Sequence, residues 1–80
     1  MRAKQQAATD GLKSIQELLI YTRAKNGLTQ TEMIRRLKCA PTTFKAWERG
    51  QKPRAEWYVA IGKLCGVPLE RVVALVAGAA

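Results

Sequence analysis

The sequence TQTEMIRRLKCAPTTFKAWERG, residues 29–50, predicts two short helices joined by a tight turn. Thr29 and Glu32 have the spacing of a capping box, in which the threonine hydroxyl accepts from the Glu32 N–H and the carboxylate accepts from the Thr29 N–H. Pro41 suits the first position of the second helix, because that position needs no N–H donor. Only residues 38–40 then remain for the turn.

The second helix has two faces of different chemistry. At 100° per residue, Phe44 and Trp47 fall on an apolar face that must be buried. The opposite face is polar, basic and small at its centre, and it consists of Thr42, Lys45, Ala46 and Arg49. Such a face suits a DNA major groove, where short side chains and hydrogen-bonding tips reach base edges. An ordinary surface helix shows the same periodicity, so the pattern alone leaves both interpretations open.

Composition narrows the class of partner. The chain has 80 residues, a length that is enough for one small domain with a marginal core. Its formal net charge is +8. A field of this sign attracts phosphates, so nucleic acid is the first candidate and a merely solvated basic surface is the alternative. Many of the basic residues lie in or near the two-helix segment.

Metal and membrane roles are not expected. The chain has no histidine and only two cysteines, too few ligands for a mononuclear zinc site within one chain. We expect Cys39 and Cys65 to be buried thiols rather than a disulfide, which suits a reducing compartment. The longest apolar run, residues 72–80, is too short to cross a bilayer. We therefore expect a cytoplasmic protein with no metal and no cofactor.

The flanking sequence completes an all-α, five-helix fold in a single domain over residues 10–80. Residues 1–9 form a basic arm that we expect to be mobile, either idle or reaching along DNA. Asp10 or Ser14 opens the first helix, which Asn26 and Gly27 end. A fourth helix covers about residues 55–64, and a fifth begins at Pro68 and continues through Ala77.

The last helix carries more apolar residues than one core-facing stripe needs. Its candidates for contact with a second copy are Leu69, Val72, Val73 and Val76. Burial of all four within the monomer is the open alternative.

These features together resemble the lambda-repressor-like, or Cro/C1-type, helix-turn-helix family. The resemblance covers about residues 18–73 and needs no gap. The matching positions are Arg23, Gly27 to Glu32, Leu37, Cys39, Thr43, Phe44, Trp47, Glu48, Gly50, Pro53, Ile61, Leu64, Gly66 and Val67. No single position is diagnostic, but the spaced set is strong. The resemblance implies a nucleoid-associated protein of bacterial or phage origin.

The resemblance implies roles for particular residues. It makes residues 41–49 the recognition helix, with base contacts from Pro41, Thr42, Lys45 and Ala46, to which the outward face adds Arg49. It makes Gln30 a phosphate contact, and we expect further phosphate contacts from Thr43, Lys38, Gln51, Lys52 and Arg54. Arg23 and Glu48 match a pair that forms an internal salt bridge in related proteins, although Arg23 could instead bind phosphate.

Two residues in the turn depart from the family pattern. Lys38 replaces a frequent glycine, so it must adopt a left-handed conformation unless the turn differs. Ala40 replaces the usual serine or threonine cap and offers no side-chain oxygen.

The sequence and the resemblance together predict a sequence-specific, double-stranded-DNA-binding transcriptional regulator, a Cro/C1-like repressor acting as a homodimer on a palindromic operator. The alternative is a helix-turn-helix module for protein interaction that binds nucleic acid only non-specifically. We predict no enzymatic activity, because the chain has no histidine and only six acidic residues, and no pairing of a nucleophile with a base is visible.

Overall fold

The computed structural model describes residues 11–78, and within them every regular element is helical. The α-helices are α1 (Ile15–Asn26), α2 (Gln30–Leu37), α3 (Pro41–Glu48), α4 (Tyr58–Cys65) and α5 (Leu69–Ala77). One 3₁₀ turn, Ala55–Trp57, precedes α4. The all-α, five-helix prediction is confirmed. The predicted arm, residues 1–9, lies outside the described residues.

Side-chain caps start the first two helices. The Ser14 hydroxyl accepts from the Glu17 N–H at 3.2 Å, so α1 begins after Ser14. In α2 the capping box is complete, because the Glu32 N–H donates to the Thr29 hydroxyl at 3.1 Å and the Thr29 N–H donates to the Glu32 carboxylate at 2.9 Å. The Thr29 hydroxyl also donates to the Glu32 carboxylate, at 3.2 Å. The bonds that the carboxylate accepts from the Thr29 N–H and hydroxyl hold the pKa of Glu32 below its ordinary value of 4.5.

The turn between α2 and α3 has the backbone that its sequence predicts. Lys38 ends α2 in the left-handed conformation, at φ 58° and ψ 38°, with its N–H donating to the Ile34 carbonyl at 2.8 Å. Ala40 makes no side-chain cap, and Pro41 occupies the first turn of α3. This turn therefore costs conformational energy at Lys38, where glycine would be unstrained.

Three predicted boundaries differ from the structure. The recognition helix, expected over residues 41–49, ends at Glu48, and Arg49 is its C-cap at φ −90° and ψ −2°. Residues 55–57 form a 3₁₀ turn before α4 begins at Tyr58. Pro68 is the extended N-cap of α5 rather than its first helical residue.

The core draws apolar side chains from all five helices. Its buried members are Ile15, Leu18, Leu19, Met33, Leu37, Phe44, Trp47, Ile61, Val72, Leu75 and Val76. Helix α1 packs against α3, α4 and α5, and α4 packs against α5. Gly62 allows the close approach after α4, since a Cβ there would lie 2.9 Å from the Val67 carbonyl oxygen.

Burial in α5 corrects part of the predicted dimer surface. Val72 is 0% exposed and Val76 is 9% exposed, and both belong to the monomer core. They are therefore unavailable to a second copy. Leu69, at 50%, and Val73, at 45%, are exposed.

We predict that Lys38→Gly raises the free energy of unfolding by about 1 kcal/mol, because glycine adopts positive φ without a Cβ clash. The matched control is Arg35→Gly, at an exposed position inside α2, which should lower it by about 1 kcal/mol. Urea titrations followed by circular dichroism measure both changes. Destabilisation by Lys38→Gly would contradict the strain at this turn.

Candidate nucleic-acid interface

A single carboxylate ties the two helices of the turn to α1. Glu48, whose side chain is 8% exposed, accepts from Arg23 Nε at 3.1 Å through Oε2. Its Oε1 accepts from Gln30 Nε2 at 2.7 Å, and its backbone carbonyl accepts from Gln16 Nε2 at 2.8 Å. Glu48 therefore fixes the end of α3 against the start of α2 and the side of α1.

Aromatic packing holds the inner face of α3. Phe44 and Trp47 are buried, with ring centroids 6.4 Å apart and an interplanar angle of 63°. Trp47 also packs edge-to-face on Trp57, at 5.5 Å and 66°. Because these contacts fix the rotation of α3 about its axis, they determine which residues face outward.

The residues predicted to read bases share the outward side of α3. Pro41, Thr42, Lys45 and Arg49 are exposed, and Ala46 is half-buried. Their spacing, at positions i, i+1, i+4, i+5 and i+8, places them along one side of the helix and its cap. Because the side chain of Ala46 is a single methyl group, the centre of this face does not protrude.

A groove runs beside this face and brings several predicted phosphate contacts together. It is bounded by α3 on one side and by the following loop and 3₁₀ turn on the other. The lining residues are Thr42, Thr43, Ala46, Trp47, Gln51, Lys52, Arg54, Glu56 and Trp57. Pro41, Lys45 and Arg49 lie outside the groove lining, as do Gln30 and Lys38.

The structure gives Gln30 a contact that the sequence did not indicate. Its amide donates to Glu48, so one of its two amide hydrogens is already used in the free protein. The backbone N–H groups at the start of α2 have no partner within that helix, as at any helix N-terminus. The Gln30 side chain is therefore bonded to Glu48, while its backbone lies at the exposed start of α2.

Three residues of the groove lie outside the predicted DNA contacts: Trp47, which was expected only in the core, and Glu56 and Trp57. Glu56 and Trp57 lie in the 3₁₀ turn, where the 100° periodicity of an α-helix does not hold. The only available signal was proximity in sequence to Lys52 and Arg54. That signal does not show which side chains turn toward α3.

The described residues present neither a metal site nor a membrane span. Within residues 11–78, no group of three or more histidine, cysteine or acidic side chains could hold a metal ion. None of the helices in this range has the length and hydropathy needed to cross a bilayer. Cys39 and Cys65 are free and partly buried, and burial raises the pKa of both thiols.

Comparison with known proteins identifies the family. The family model described as "Helix-turn-helix domain" matches residues 17–75, which include all of α2, the turn and α3. The chain therefore belongs to this family, a DNA-binding rather than an enzymatic type of domain. Searches of curated proteins and of solved structures returned no match.

We predict that Glu48→Ala lowers the free energy of unfolding by about 2–4 kcal/mol, because it leaves Arg23 and Gln30 without their shared acceptor. Glu70→Ala is the matched control, since Glu70 is exposed on α5 and should change stability by about 1 kcal/mol or less. Equal effects in denaturant titrations of the two variants would show that Glu48 does not organise the fold.

Proposed function

We propose that this chain is a sequence-specific transcriptional regulator that binds double-stranded DNA through α3. In this proposal it acts as a repressor of the lambda-repressor-like, Cro/C1 type that its sequence resembles. The observation that carries the proposal is that the polar side chains on the outward face of α3 are exposed and have no partners among the described residues. Thr42, Lys45 and Arg49 are exposed, and within the described residues none of these side chains has a hydrogen bond or ion pair. Their donors are therefore available to base edges.

The roles of these residues follow from their chemistry. Lys45 and Arg49 donate to the O6 and N7 acceptors of guanine, whereas Thr42 can donate or accept. Pro41 and Ala46 offer apolar contact to a thymine methyl group. With α3 in the major groove, the start of α2 and the loop after α3 meet the flanking phosphates.

Phosphate contacts set the register of the complex. The groove beside α3 contacts the phosphates of one strand through Thr43, Gln51, Lys52 and Arg54. Further phosphate contacts come from Gln30 at the start of α2 and from Lys38 in the turn after it. Exposed cations make this binding strongly dependent on salt, because each phosphate contact releases counterions. Arg23 has a structural role instead, since it is engaged with Glu48.

The proposed active species is a homodimer. Leu69 and Val73 are exposed four residues apart on α5, so they lie on one face of that helix. Burial of this face against a second copy would remove two large apolar side chains from water. A two-fold dimer requires a palindromic operator with half-sites about one helical turn, roughly 34 Å, apart, and occupancy of a promoter by such a dimer represses transcription.

The test of the function is selection of duplexes from a random pool by the purified protein at two salt concentrations. We expect an inverted repeat that remains enriched at the higher concentration. If no sequence is enriched and binding falls steeply with salt, only phosphate attraction is present. That result would favour a helix-turn-helix module for protein interaction.

We predict that Lys45→Ala weakens binding to the selected operator by about 1–3 kcal/mol and relaxes the choice at one base position. Lys63→Ala is the charge-matched control, because Lys63 is exposed on α4 and does not line the groove. A folded Lys45→Ala variant that binds the operator as well as Lys63→Ala does would remove Lys45 from the site.

The dimer surface has a separate test. Val73→Glu should give a monomer in sedimentation velocity, because the carboxylate would have to be desolvated in the interface. Ile20→Glu is the control, since Ile20 is an exposed apolar residue of α1 and should leave the dimer intact. A dimer that survives Val73→Glu would place the interface elsewhere.

A further inference from the structure

The groove beside α3 contains one carboxylate among its basic residues. Glu56 lines it together with Lys52 and Arg54, and all three side chains are exposed. This placement is unexpected for a surface that meets phosphates. A protein with net charge +8 has many exposed positions away from its binding surface at which an acidic residue would not meet DNA.

Glu56 has no internal contact that explains its presence. Three of the other four glutamates have internal contacts: Glu17 accepts from the Lys13 N–H, Glu32 completes the capping box, and Glu48 joins three helices. The fourth, Glu70, likewise makes no hydrogen bond or ion pair within residues 11–78, but it lies on α5 and does not line the groove. Within residues 11–78, Glu56 makes no hydrogen bond and no ion pair within 4.0 Å, even with the basic residues that line the same groove. Its charge is therefore not cancelled by a direct partner.

An uncompensated carboxylate at this position acts on the DNA backbone. Duplex DNA carries one negative charge about every 1.7 Å along its axis, so a strand following the groove passes the carboxylate whatever its base sequence. Repulsion between like charges then opposes the attraction supplied by Lys52 and Arg54. The effect weakens as salt screens it, because the side chain is exposed.

We infer that Glu56 lowers the affinity of this protein for every duplex through repulsion of the phosphate backbone, without taking part in the choice of bases. This inference rests on the proposed function, since it requires DNA to approach the outward face of α3. The effect of Glu56 is opposite to that of its neighbours. Lys52 and Arg54 attract the DNA phosphates, and Glu56 reduces that attraction.

The test compares Glu56→Gln with Glu70→Gln. Both glutamates are exposed, and each lies in the first turn of its helix, but Glu70 is on α5 and does not line the groove. Affinities are measured by fluorescence anisotropy for the selected operator and for a random duplex, at about 50 and 200 mM salt. Thermal unfolding of both variants checks that the fold is unchanged.

We expect Glu56→Gln to bind both duplexes about two- to fivefold more tightly at the lower salt, as for one exposed charge interaction. The factor should be the same for the two duplexes and should shrink at the higher salt, whereas Glu70→Gln should be close to wild type. Glu56→Lys, which inverts the charge, should tighten binding further. The inference is overturned if Glu56→Gln binds no more tightly than Glu70→Gln, or if the change is confined to the operator, which would make Glu56 a base contact.

Failure of the proposed function gives a different result. If wild type prefers no sequence, sequence-specific regulation is wrong, and tightening of the random duplex by Glu56→Gln still supports the role of Glu56. If wild type binds no duplex at either salt concentration, both proposals are wrong.

Discussion

The fold depends on the side chain of Glu48, a nearly buried carboxylate shared by three helices. A buried charge without partners would be costly, so its two oxygens require donors. Arg23 supplies them from α1 and Gln30 from α2, with Nε of Arg23 at 3.1 Å and Nε2 of Gln30 at 2.7 Å. Because Glu48 closes α3 while Gln30 opens α2, these bonds fix the relative orientation of the two helices.

The outward face of α3 is a consequence of what holds its inner face. A helix of eight residues is too short to be stable alone in water. Its structure therefore depends on burial of Phe44 and Trp47 and on the contact of Trp47 with Trp57. With the two aromatic side chains and Glu48 making these contacts, the residues on the other side of α3 are not needed for packing. A binding partner rather than the core can therefore determine which residues stand at positions 42, 45 and 49.

Local signals in the sequence predicted much of this arrangement. The capping box, the proline at the start of α3 and the left-handed Lys38 each depend on a few adjacent residues, so the sequence could indicate them directly. The two faces of α3 followed from periodicity. Periodicity could not separate Val72 and Val76 from Leu69 and Val73, because that separation depends on where α1 and α4 pack. It also failed in the 3₁₀ turn, so the position of Glu56 in the groove became visible only in three dimensions.

A map of backbone amide chemical shifts during titration with a duplex would show whether α3 and the loop after it form the DNA surface. We expect the largest changes on the outward face of α3, from Thr42 to Arg49, on the loop from Gln51 to Arg54 and at the start of α2. Changes centred instead on α5 or on the outer side of α1 would contradict this expectation.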